Sequence, residues 1–92
     1  MSVRKIKCEV LRLADLLESE SVSETEKTTI LLQAIGLLKE GLAIKKEMLR
    51  SRKNPKRLHR IEEVEEELAF LEGLAALNRR YPGTIAFKWA EQ

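Results

Sequence analysis

The chain has 92 residues and a net charge of +2, with 43% apolar and 35% charged side chains, and only four aromatic residues and two prolines. That balance excludes an intrinsically disordered chain and favours helices over sheets. The single cysteine, Cys8, rules out an internal disulfide and a cysteine zinc cluster and points to a reducing, cytoplasmic compartment.

The first helix is expected over about residues 3–18, with Ser2 as its N-cap. Val3, Ile6, Val10, Leu13 and Leu17 form an apolar stripe at steps of three and four. Leu11, Leu16 and Cys8 sit off it, and Cys8 is expected to be a small, partly buried packing residue. No apolar h-region follows Met1 to Lys7, so a signal peptide is not expected.

The polar link from Ser19 to Val22 leads to a second helix over about residues 24–51. Ser23-x-x-Glu26 fits a capping box, and acidic Glu24 and Glu26 suit the positive end of the helix dipole. Two adjacent apolar rows follow. One is Ile30, Ala34, Leu37, Ile44 and Met48, with Gly41 in line; the other is Leu31, Ile35, Leu38, Leu42 and Leu49. Together they make a face wider than a single coiled-coil seam. The longest apolar run, Ile30 to Leu38, contains Gln33 and is too short to span a bilayer, so no membrane partner is expected.

In the turn Ser51-Arg52-Lys53-Asn54-Pro55, Asn54 suits an N-cap and Pro55 the first helical position. The third helix is expected over about residues 55–81, carrying Leu58, Ile61, Val64, Leu68, Leu71 and Ala75. Its stripe widens from Phe70 through Leu74, Leu77 and Tyr81 to a stop at Tyr81-Pro82-Gly83. So short a turn implies antiparallel neighbours. Folding back, the first helix reaches alongside roughly residues 24–41 of the second helix and 65–81 of the third. In the tail, residues 82–92, Ile85, Phe87 and Trp89 alternate with period two; an extended arm along the bundle, a strand added to a partner and a short helix all stay open, and Phe87 and Trp89 are expected to be buried, capping the core of the bundle or meeting a partner.

The expected fold class is therefore all-α: a long antiparallel hairpin with a shorter N-terminal helix, a three-helix bundle in a single domain spanning residues 1–92, and an extended C-terminal tail. The broad face of the second helix exceeds what two neighbours easily cover. A homodimer is thus expected, with Leu31, Leu32, Ile35, Leu38 and Leu42 as its candidate interface.

Charge is strongly polarised. Residues 45–60 carry Lys45, Lys46, Arg50, Arg52, Lys53, Lys56, Arg57 and Arg60 against Glu47 alone, a net of +7, while the remainder of the chain carries −5. Such a tip has the charge and reach for phosphate contacts, and its arginines can clamp phosphate or carboxylate bidentately. It lacks the aromatic residues that stack single-stranded bases. His59, four residues before Glu63, is expected to pair with it on the helix surface.

Glu62-Glu63-x-x-Glu66 resembles the EExxE metal-binding motif of MazG-like nucleotide pyrophosphohydrolases, which are all-α, magnesium-dependent enzymes. The resemblance covers those residues alone. The family's second acidic motif, ExxD, has no counterpart, since Asp15 is the only aspartate. Leu74 to Ala90 is similar to one junction between tetratricopeptide repeats, with Pro82 in place, but the rest of that repeat pattern is absent. Neither resemblance is adopted. The expected function is that of a small non-enzymatic helical interaction or regulatory protein, without cofactor or small-molecule substrate. The alternative is a nucleic-acid-binding or ribonucleoprotein-associated protein working through the basic tip.

Overall fold

The computed structural model describes residues 2–76 and 85–91, the side chains of 74–76 and 85–87 excepted. Among these residues the chain is all-helical: α1 (Val3–Glu18), α2 (Glu24–Arg52), α3 (Pro55–Ala76) and α4 (Ile85–Glu91). At about 1.5 Å per residue, the 29 residues of α2 span roughly the 44 Å long axis of the molecule. The other helices are arranged along that spine. α1 and α3 each pack on α2, and α4 packs against both α1 and α3.

Local chemistry places the helix ends. The Ser2 hydroxyl accepts a hydrogen bond from the Lys5 N–H at 3.3 Å and starts α1. The Ser23 hydroxyl accepts from the Glu26 N–H at 3.2 Å, the hydroxyl half of the expected capping box, and starts α2. Each bond satisfies a backbone donor that has no partner within its own helix.

Periodicity then selects the buried faces. On α1 the core residues are Ile6, Val10 and Leu13. Cys8 is exposed, contrary to expectation. Two residues from Ile6 at about 100° per residue, it points away from α2. On α2 Leu31, Ile35, Leu38, Leu42 and Leu49 of one row are all buried; in the other row Ala34 and Gly41 are buried, Ile30, Leu37 and Ile44 are half-buried and Met48 is exposed. On α3 Ile61, Val64, Leu68 and Leu71 complete the same core. Lys39 pairs with Glu72, and Lys46 with Glu65 at 3.2 Å. A seven-residue advance on α2 thus matches a seven-residue retreat on α3, so the two helices run in opposite directions.

Two expectations are corrected. Residues 85–91 form the short helix among the open readings of the tail, not the extended segment of the expected fold. A lone strand beside helices would leave its backbone donors and acceptors unpaired, whereas a helix satisfies them locally. α4 also buries Trp89 and Ala90 in the core. Phe70, expected to open a widened core stripe, is instead 61% exposed. It lies two residues from Leu68, on the far side of α3. The expected continuation through Leu77 and Tyr81 and the stop at Pro82-Gly83 lie outside the described residues.

α4 approaches α2 closely at Gly41. A Cβ built on Gly41 would lie 3.1 Å from Ile6 Cγ2 and 3.1 Å from Trp89 Cη2. The missing side chain lets a tryptophan ring and an isoleucine meet the α2 backbone. Lys7 Nζ sits 4.6 Å from the centre of the Trp89 ring, a cation–π contact.

Candidate functional site at the turn between the second and third helices

The turn is shaped by three consecutive residues. Lys53 adopts the left-handed conformation, φ 50° and ψ 55°. Its N–H bonds Arg50 O at 3.4 Å, and the Asn54 N–H bonds Leu49 O at 3.5 Å. This is the Schellman closure of a helix C-terminus, with lysine where glycine is usual. The Asn54 side-chain oxygen then accepts from the Arg57 N–H at 3.3 Å and caps α3, and Pro55 occupies its first position. Leu49 and Ile61, 4% and 3% exposed, anchor the two helix ends beneath the turn.

The eight predicted basic residues fall into distinct classes. Lys46 is tied to Glu65, Arg50 to Glu47 at 3.1 Å and Arg60 to Glu63 at 3.4 Å. Lys45 is half-buried and close enough to Lys7 to act on it. Burial, and secondarily the charge of Lys45, pushes the Lys7 ammonium below the usual lysine range. The remaining four, Arg52, Lys53, Lys56 and Arg57, are exposed and have no ion pair among the described residues.

Their placement is uneven with respect to the helix dipoles. Arg50 and Arg52 lie in the last turn of α2, where a cation is favourable. Lys56 and Arg57 lie in the first turn of α3, which holds no acidic residue. There each cation faces the positive end of the dipole and costs about 0.3–1 kcal/mol. Folding alone would favour carboxylates at those two positions.

His59 pairs with Glu63, Nε2 to Oε1 3.0 Å, as the four-residue spacing predicts. Glu62, Glu63 and Glu66 are all exposed on α3. Among the described residues no three His, Cys, Asp or Glu side chains are placed to hold one metal ion. No described helix is long and apolar enough to cross a membrane.

The five residues expected at a dimer interface are placed differently. Leu31, Ile35, Leu38 and Leu42 are at most 3% exposed within the single chain; Leu32 alone is accessible, at 42%. It borders an open groove with Glu9, Arg12 and Gly36. The width of the α2 face is taken up by three neighbours of the same chain, the third being α4, whose Trp89 caps the core at Gly41.

Sequence reasoning passed over Lys7 and placed Phe70 on the core stripe rather than at the surface. The fold-back of α1 was the available signal for Lys7, since it brings the start of α1 beside Gly41 and Lys45. For Phe70 the signal was its helical angle relative to Leu68 and Leu71. No protein family matches this chain, and no curated protein or solved structure does either.

Proposed function

We propose that this chain is a small non-enzymatic helical interaction protein, built as a helical hairpin with a packed N-terminal helix, that docks the hairpin tip on an anionic partner. The observation that carries the reading is the placement of Lys56 and Arg57. They are exposed, lack an ion pair among the described residues, and stand at the helix end where cations destabilise. With Arg52 and Lys53 they concentrate positive potential on a projecting surface, the arrangement that steers an anionic surface toward it.

The test separates binding from folding. Replacing Arg52, Lys53, Lys56 and Arg57 by Gln should leave the helical circular dichroism intact and abolish retention on a heparin column. Replacing Lys56 and Arg57 by Glu should go further, stabilising the fold by about 1–4 kcal/mol as two adverse dipole contacts become favourable while removing retention. Retention unchanged in both variants would refute the reading.

A nucleic-acid partner is the second reading, favoured by the two guanidinium groups, Arg52 and Arg57, among the four unpaired cations. Its signature is binding to duplex DNA or RNA whose log–log salt slope is about −0.9 per phosphate neutralised on DNA. Absence of such binding at low salt, with heparin retention intact, would leave an acidic protein surface as the partner.

A further inference from the structure

The solvent side of α3 carries a seam of its own. Lys56, His59, Glu63, Glu66 and Phe70 follow at steps of three and four and are all exposed, with Arg60 and Glu62 beside them. The spacing matches that of a helix-pairing seam. Its charge order is basic in the first half and acidic in the second. Lys56, Glu62 and Glu66 have no ion pair among the described residues.

We propose that this seam docks antiparallel on the same seam of a second copy, so that the anionic partner of the tip is the acidic half of α3 in another molecule. This rests on the tip reading above and names its partner. About a two-fold axis crossing α3 near Ile61, Lys56 faces the second copy's Glu66 and His59 faces Glu63. Each contact occurs twice by symmetry. A parallel arrangement would set like charges against each other, so the charge order itself selects the antiparallel one. Phe70 lies four residues, about 6 Å, beyond Glu66. It therefore falls past Lys56 of the second copy, over the turn that bears Arg52 and Lys53, where a cation can lie on the ring face. That accounts for a large aromatic left 61% exposed in the single chain. A nucleic acid laid along the same seam would meet Glu62, Glu63 and Glu66 instead.

The experiment is sedimentation equilibrium of the full chain at low and high salt. The wild type should dimerise at low salt and dissociate at high salt. One variant carries Lys56→Glu, the other Glu66→Lys. Each alone should dimerise at least about tenfold more weakly, because every reversed charge acts twice. Mixed in equal amounts they should associate with each other, which a folding defect cannot mimic. Phe70→Ala should weaken the wild-type dimer. A wild-type chain that stays monomeric at low salt overturns the proposal, as does undiminished dimerisation of both charge variants. If the monomeric chain still binds heparin through Arg52, Lys53, Lys56 and Arg57, the tip reading stands and only the choice of partner has failed. If heparin binding is absent as well, both fall.

Discussion

Gly41→Ala puts opposing, calculable effects on one methyl group. In the middle of α2, alanine gains about 1 kcal/mol over glycine in helix propensity. The new Cβ would stand 3.1 Å from both Ile6 Cγ2 and Trp89 Cη2, inside the roughly 3.5–4.0 Å of a relaxed carbon–carbon contact. One neighbour must retreat by about half an ångström. Ile6 is fully buried and β-branched, with Val10 and Leu13 holding the same helix face in place. The strain therefore passes to Trp89 on the seven-residue α4. Overpacking of this kind costs about 1–3 kcal/mol, so the net effect is a loss of about 1 kcal/mol, or ~4–8 °C in Tm for a chain of this size. Gly36→Ala is the control. It lies in the same helix, and its added Cβ meets nothing within 4 Å, so it should gain about 1 kcal/mol. Thermal and urea unfolding followed by circular dichroism would measure both. Trp89, the single tryptophan, should shift its emission to the red in the Gly41 variant. If Gly41→Ala stabilises as much as Gly36→Ala and leaves the emission unchanged, the packing of Trp89 on Gly41 is refuted.

The turn offers a second pair of substitutions with opposite signs. Lys53→Gly should stabilise by up to about 1 kcal/mol, because glycine carries no Cβ penalty in the left-handed conformation, whereas Asn54→Ala should cost about 1 kcal/mol through loss of the α3 cap; equal shifts in urea midpoint would contradict this. On α1, the hydrogen bonds from Arg12 to Glu9, two of them at 3.1 and 3.2 Å, hold the Glu9 carboxyl below the usual carboxylate range; they outweigh the opposing effect of burial, and the charge of Arg12 adds to them least. A depressed pKa in the folded chain means that the pair's stabilisation is fully present above the unfolded-state pKa and is lost as pH falls through the folded value. Arg12→Ala should therefore raise the Glu9 pKa in a carboxyl NMR titration and remove that portion of the acid-limb pH dependence; an unmoved Glu9 titration would show that the pair does not persist in solution. Lys45→Ala should raise the Lys7 pKa by removing a neighbouring like charge, though burial, the larger cause, would keep it below the ordinary value.

Much of the helix layout was legible because its causes are local. Ser2, Ser23, Asn54 and Pro55 act on backbone groups within four residues of themselves, so their effects can be read from spacing alone. The polarised charge of residues 45–60 is likewise a property of the chain order. Where charge was concerned, sequence could count the cations but could not tell Lys46, held by Glu65 from another helix, from the unpaired Lys56.

Burial is where tertiary structure decided. Periodicity marked both rows of α2 as apolar, but only the packing of α1, α3 and α4 made one row wholly core and, in the other, buried Ala34 and Gly41 while leaving Met48 in solvent. The same packing covered four of the five leucine and isoleucine side chains that the sequence offered to a partner. It also turned an alternating tail into a helix seated on a glycine 48 positions earlier in the chain. A side chain's helical angle follows from its neighbours in sequence. Whether that angle meets another helix or water depends on residues brought near by the fold, and no local pattern carries that information.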